Sequence, residues 1–325
     1  MKILRDADID PAPLQGKRVA ILGYGNQGRA QALNLRDGGV DVVVGLRGGS
    51  PSIARAADDS IPVSSIEDAS ASADLVMLLA PDETLAGLYR QIEPNLRQGA
   101  ALGFSHGLAI RFALIAPRAD LDVILVAPKG PGSALRSLYV EGKGMAALYA
   151  VAQDASGSAE ALAQAYGRAI GCGRAGLLRS SFAEECEADL FNEAAVVWGA
   201  VPEILVAGFD TLVEAGISEE VAYMECVGEL KLLAELIEAR GIAAMREAIS
   251  NTAELGAVSG GPRIVNHAVR DEMRAILASI RDGSFAAALS DEEASGYPRL
   301  GAARESSAGQ RVESARLKLK KLLGA

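Results

Sequence analysis

Cysteine is scarce in this 325-residue sequence. Cys172, Cys186 and Cys226 are odd in number and form no CxxC pair, so neither a disulfide framework nor a zinc knuckle is indicated. Only two histidines occur, His106 and His267, and aromatic residues make up 4% of the chain, which suits tightly packed α/β structure better than an all-β sandwich. Basic residues are in the minority, 32 against 42 acids, for a net charge of -10. Nucleic acid and anionic membrane surfaces draw their affinity from clustered Lys and Arg, so no nucleic-acid partner is expected. The sequence has no uninterrupted run of 18 apolar residues, and its opening, MKILRDADIDPAP, is charged and lacks an apolar h-region. A reduced cytoplasmic protein acting on small molecules, with no membrane partner, is the expectation.

What is present is glycine, 35 residues of it, in an alternating pattern. Between residue 17 and about 180, short runs rich in branched side chains (RVAIL, DVVVGL, LVMLLA, AALGF, DVILVA, AALYAV, AGLLRS) alternate with helical stretches. This predicts an α/β fold, a doubly wound parallel sheet of Rossmann type with helices on both faces. After Ser181 only helical patterns follow, with breaks signalled near Pro202, Gly216, Gly241 and Gly260 to Pro262. The reading is a Rossmann domain over 1–180 and an all-helical domain over 181–325. The tail ESARLKLKKLLGA reads as an amphipathic terminal helix that packs or frays.

Directly after the first long strand comes Gly23-Tyr24-Gly25-Asn26-Gln27-Gly28, a GxGxxG opening a helix inside a βαβ unit. Its glycines allow a tight turn and let a pyrophosphate approach the helix N-terminus, the alternative being a merely structural turn. An acid at the end of the second strand would take the ribose hydroxyls of NAD, but Arg47, Ser50 and Ser52 stand there instead. Arg47 can pair with a 2′-phosphate that the serines also bond, which favours NADPH, unless it is a solvated surface arginine. Asp82, His106 and Lys129 each follow a strand and should stand at the rim with the glycine loop. Without further context His106 could be an ordinary loop histidine. Lys129 lies in APKGPG, whose Gly130, Pro131 and Gly132 shape a turn around it.

Residues 180 to 230 contain no Lys or Arg but hold twelve acids. For most of them, including Glu185 and Glu187, a solvated helix face is the expectation. Two pairs extend apolar stripes instead: Asp189 and Glu193 in line with Phe182 and Cys186, and Glu225 and Glu229 in line with Leu232 and Leu236. Inward carboxylates without basic partners point to a hard divalent cation, and with so few histidines magnesium is the better choice. Such i,i+4 pairs also arise by chance in acidic helices.

Taken in order, GYGNQGRAQALNLRDGGVDVVVGLRGGS, LAPDE, FSHGLAIRF, DVILVAPKGPG, CEADLFNEAAV, MECVGELKLLAELI and ISNTAELG resemble the motifs of the class I ketol-acid reductoisomerase family over nearly the whole chain. The resemblance implies a knotted helical domain that binds metal and substrate and forms the dimer, and a Rossmann domain that binds NADPH. It implies two Mg2+ ions held by Asp189, Glu193, Glu225 and Glu229, and a homodimer, or a higher oligomer built from it. In that dimer Asp189 and Glu193 of one subunit meet Glu225, Glu229 and Ser250 of the other. The implied substrates are 2-acetolactate and 2-aceto-2-hydroxybutyrate, both 2-hydroxy-3-keto acids on the route to valine and isoleucine. Alkyl migration is followed by NADPH reduction, with His106, Lys129 and Glu229 as catalytic groups and Ser250 on the substrate carboxylate. Asp82 and Gly132 join Gly23, Tyr24, Gly25, Asn26, Gln27, Gly28, Arg47, Ser50 and Ser52 around the cofactor.

Several positions depart from the family pattern: Arg29 in the glycine loop, Asn192 in the metal helix, Trp198 one turn beyond Glu193, Gly228 beside Glu229, and Glu247 and Leu255 near Ser250. They leave room for a paralogous NADPH-dependent reductase or reductoisomerase acting on a different 2-hydroxy-3-keto or 2-keto acid. Two further alternatives are a nucleotide-binding protein without catalysis and a metal-independent hydroxyacid dehydrogenase.

Overall fold

The computed structural model describes residues 2–324. The chain divides into two compact units, Met1–Ala188 and Asp189–Ala325. The first is built on one nine-stranded sheet. Its strands are β1 (Ile3–Leu4), β2 (Arg18–Leu22), β3 (Asp41–Gly45), β4 (Val63–Ser64), β5 (Leu75–Leu78), β6 (Ala101–Phe104), β7 (Asp122–Pro128), β8 (Ala147–Gln153) and β9 (Leu177–Arg179).

The spatial order is β1-β9-β8-β7-β6-β5-β2-β3-β4. From β4 to β7 all pairings are parallel, and the order reverses between β2 and β5, which opens a crevice at their carboxyl ends. All seven expected strands are present. The sheet is mixed, however, not wholly parallel: β8 runs antiparallel to β7, and β1 antiparallel to β9. Both very short strands, β1 and β4, fell below the length at which a hydrophobic pattern can be read.

The near-continuous apolar runs follow from burial on both faces. In β2, Val19 and Ile21 enter one core with Leu33, Leu35, Leu135 and Tyr166, while Ala20 and Leu22 enter the other with Leu85, Tyr89, Ile92 and Phe182. β5 alternates in the same way, Leu75 and Met77 against Val76 and Leu78.

The second unit is helical, with long segments at Ala200–Glu214, Leu230–Glu247, Asn251–Ile264, His267–Arg281 and Arg311–Leu323. Gly216, at φ +90°, ends the first of these, and Gly241, at φ +73°, kinks the second. The break expected over Gly260 to Pro262 does not occur there. The helix runs through Pro262 to Ile264, close enough to its end that few bonds remain for the proline to break.

One small core joins Phe209 and Ala222 to Val312 and Ala315, so the amphipathic tail packs as a helix. Much of the remaining apolar surface is exposed, including Trp198 at 65% and Leu255 at 68%. The uninterrupted-run criterion also missed a stretch: Phe182–Glu214 contains 18 residues of mean hydropathy 1.6, only 6% of them buried, and is long and apolar enough to cross a membrane by length and composition.

Candidate active site at the sheet rim

The glycines of the loop after β2 are required for different reasons. Gly23 has φ +107°, and a Cβ there would lie 2.7 Å from the carbonyl oxygen of Leu79, the residue after the neighbouring strand β5. At Gly28 a Cβ would lie 2.2 Å from the carbonyl oxygen of Gly23, so the helix Asn26–Asp37 can start this close only with glycine. Gly25 differs: a Cβ there meets nothing within 4 Å, and as the helix N-cap it presents no capping side chain. The opening and the free N–H groups of the first turn are features that could hold a phosphate.

The loop is fastened to the turn after β7. A Cβ at Gly132 would lie 2.1 Å from the carbonyl oxygen of Asn26, Ser133 N donates to Asn26 Oδ1 at 2.9 Å, and Gln27 Nε2 donates to the Gly130 carbonyl at 2.8 Å. Asn26 and Gln27 thus each spend a side-chain hydrogen bond on the turn after β7. Tyr24 is buried, and its hydroxyl donates to Asp59 Oδ2 at 2.9 Å. Arg29, a departure from the family pattern, closes on the same carboxylate at 2.6 and 2.7 Å, and its guanidinium holds Asp59 below the usual carboxylate range. At the end of β3 the guanidinium of Arg47 is exposed with no partner among the described residues, and Ser50 Oγ accepts from Ser52 N at 3.3 Å.

Asp82, His106 and Lys129 stand at the carboxyl ends of β5, β6 and β7, as the sequence implied. His106 Nδ1 donates to Asp82 Oδ2 at 2.9 Å, so the acid expected at the cofactor orients an imidazole. Burial alone would lower the His106 pKa, but the hydrogen bond to Asp82, with Cys186 and the charges of Asp82 and Glu185, raises it well above 6.5. Its Nε2 is buried without a hydrogen-bond partner.

Glu185 is the residue that sequence reading missed. It is 1% exposed, takes Lys129 Nζ at 2.6 Å on one oxygen and accepts from Gly107 N at 2.8 Å on the other. It is no solvated acid, and neither is Glu187, which Arg111 meets at 3.0 Å. The signal was available: Glu185 lies four residues before Asp189, on the same helical stripe.

In the helical unit the carboxylates do not face inward. Glu193, Glu225 and Glu229 are exposed and Asp189 half-buried, and among the described residues no group of three or more side chains converges as a metal site. Amphipathic stripes mark which positions are apolar, not what covers them. One acid of each pair lies in a π-helical turn, Glu193 in Asn192–Val196 and Glu225 in Met224–Gly228; in the first, Val197 N bonds the Asn192 carbonyl at 2.9 Å, an i→i+5 bond. Asn192 and Gly228, two further departures, lie inside these turns. Ser250 caps the helix Asn251–Ile264, its Oγ accepting from Ala253 N at 3.2 Å, which leaves its hydroxyl hydrogen for another acceptor.

Residues 13–176 match the model of the acetohydroxy acid isomeroreductase NADPH-binding domain, and residues 182–324 match that of the ketol-acid reductoisomerase C-terminal domain. The chain belongs to the ketol-acid reductoisomerase family. A solved structure of an NADH-preferring ketol-acid reductoisomerase from an uncultured archaean is 42% identical, covers 99% of both chains and superposes with a TM-score of 0.96. More distant likenesses show the fold alone. A semialdehyde dehydrogenase NAD-binding protein from Cupriavidus necator is 18% identical over 82% of this chain and 99% of its own, with a TM-score of 0.63. Pyrroline carboxylate reductase from Plasmodium falciparum is 13% identical over 83% of this chain and 98% of its own, with a TM-score of 0.54. Family membership makes the chain a reductoisomerase with a nicotinamide cofactor, and the seat at Gly25 fits that group.

Two outcomes follow from the rim. Gly25→Ala should leave the thermal midpoint nearly unchanged while weakening the nicotinamide cofactor by about 10-fold or more, whereas Gly132→Ala should cost ~3 kcal/mol of stability; thermal melts and fluorescence titration separate them. A raised His106 pKa means that the folded state holds its proton more tightly than the unfolded one. Its contribution to stability is therefore complete below 6.5 and lost as pH rises through the higher folded value. Urea titrations from pH 6 upward should show this loss in the wild type and a flatter profile in Asp82→Asn.

Proposed function

We propose that this chain converts 2-acetolactate or 2-aceto-2-hydroxybutyrate to the 2,3-dihydroxy acid by Mg-dependent alkyl migration and NADPH reduction, in the cytoplasm, on the route to valine and isoleucine. The observation that carries this reading is the rim cluster, where His106–Asp82 and Lys129–Glu185 stand at strand ends beside an open glycine loop. We assign cofactor binding to residues 1–180, and metal binding, substrate binding and dimerisation to 181–325.

The donor chemistry of Asp189, Glu193, Glu225 and Glu229 suits Mg2+, which binds through one or two carboxylates and keeps several waters. When bound, the metal would supply Lewis-acid polarisation of the ketone and hydroxyl, and the reduced nicotinamide would supply hydride. The remaining chemistry falls to the chain. Lys129, its ammonium held by Glu185, places positive charge where an oxygen gains electron density. The Asp82 carboxylate takes the Nδ1 hydrogen of His106 and so fixes the orientation of its imidazole at the rim. Glu229 takes the proton of the substrate hydroxyl, whose carbon becomes the new ketone as the alkyl group moves away from it, and Ser250 donates to the substrate carboxylate.

Because the acid pairs do not converge within one chain, we place the complete set between two copies, in a homodimer or a higher oligomer. The exposed apolar stretch in Phe182–Glu214 supports this, as large uncovered apolar surface marks an interface. We read the same stretch as an interface with a second copy, not as a membrane span.

Arg47, without an acid beside it and with Ser50 and Ser52 following, supports NADPH. The archaean relative is described as NADH-preferring, so the ratio between the two cofactors is the quantity to measure. The departures at Trp198 and Leu255, both strongly exposed, favour as a second reading a paralogue with a different 2-hydroxy-3-keto or 2-keto acid.

NADPH oxidation with 2-acetolactate should require magnesium, and Glu193→Gln should abolish it while NADPH fluorescence binding persists. Turnover of only 3-hydroxypyruvate or 2-ketopantoate, which need no migration, would select the paralogue. Arg47→Asp should weaken NADPH by about 10-fold or more with little effect on NADH, compared as Kd values for the two cofactors.

A further inference from the structure

Beneath the rim the side chain of Gln31 is fully buried, at 0% exposure, on the helix that opens at the glycine loop. A buried amide needs partners for both hydrogens, and Gln31 has them. Its Nε2 donates to Ser105 Oγ at 3.0 Å and to Gln27 Oε1 at 3.1 Å, while its Oε1 accepts from the Tyr166 hydroxyl at 2.7 Å. Each rim partner carries the connection onward. Ser105 Oγ donates to the Val126 carbonyl at 2.9 Å, and Gln27 Nε2 donates to the Gly130 carbonyl at 2.8 Å.

Those two main-chain carbonyls determine the direction of the whole network. A carbonyl only accepts, so the Ser105 hydrogen points at Val126 and the Gln27 amide turns its oxygen toward Gln31. Both atoms facing Gln31 are then acceptors, and only a side chain with two donors and one acceptor satisfies them together with Tyr166. Ser105 adjoins His106, Gly130 adjoins Lys129, and Gln27 belongs to the glycine loop.

We propose that Gln31 is a positioning residue whose amide sets the spacing between the glycine loop and the two turns carrying His106 and Lys129, holding the cofactor seat and the acid-base groups in one geometry. The inference rests on the proposed function of the rim. It concerns a residue that is fully buried beneath the rim.

Gln31→Met keeps the length of the side chain and removes its three hydrogen bonds, stranding the Tyr166 hydroxyl in the core. Adding Tyr166→Phe removes the stranded hydroxyl. The double variant should therefore recover most of the thermal midpoint lost in Gln31→Met, while kcat stays about 10-fold to 100-fold below wild type and the NADPH Kd stays raised. Recovery of kcat together with the midpoint would reduce Gln31 to a packing residue and overturn the proposal. If the wild type does not turn over acetolactate, the substrate reading has failed instead. The NADPH Kd of the double variant then decides: a raised value supports the role, and a wild-type value overturns it.

Discussion

A Cβ at position 132 would lie 2.1 Å from the carbonyl oxygen of Asn26, so the glycine loop and the turn after β7 close on each other only while that position is glycine. Their closeness lets Ser133 N reach Asn26 Oδ1 and Gln27 reach the Gly130 carbonyl. A loop that would otherwise be held by one strand end is thereby tied to two. The opening at Gly25 and the ammonium of Lys129 sit on parts of one rim, which is what placement of reacting groups requires.

The second constraint is electrostatic. Between residues 180 and 230 the chain carries twelve acids and no base, yet several are compensated from outside that stretch: Glu185 by Lys129, Glu187 by Arg111, and Glu219 by Arg311 and Lys318. The pairing of Glu185 is the consequential one, because a carboxylate 1% exposed would be strongly destabilised without its partner. The pair orients the lysine and, through Gly107 N, fastens the helix Phe182–Phe191 to the loop that carries His106. Local charge counting along a sequence sees only neighbours in the chain, so it read these acids as a solvated helix face and missed the bases that the fold brings to them.

Legibility in the sequence varied with the physics behind each feature. Seven strands were readable because burial on both faces writes continuous apolar runs, and the glycine loop was readable because close main-chain approach tolerates few residues. Asp82, His106 and Lys129 were placed correctly at the rim by the rule for strand ends. The partners of these residues were not readable. Asp82 holds an imidazole, Gln27 bonds to Gly130 and Gln31, and the second carboxylate pair, taken to face inward, is exposed.

By itself the sequence determined the class of sheet, the domain for a nicotinamide cofactor and, through the order and spacing of its motifs, the family. These depend on local geometry: periodicity, turn chemistry and the small set of residues a tight loop accepts. Only the tertiary structure decided that Glu185 holds Lys129, that Gln31 bonds Gln27, Ser105 and Tyr166, that Glu193 and Glu225 lie in π-helical turns, and that β7 and β8 run antiparallel. Hydrogen bonds and ion pairs between residues 56 to 135 positions apart leave no periodic trace in the chain, because their specificity comes from where the folded elements bring them.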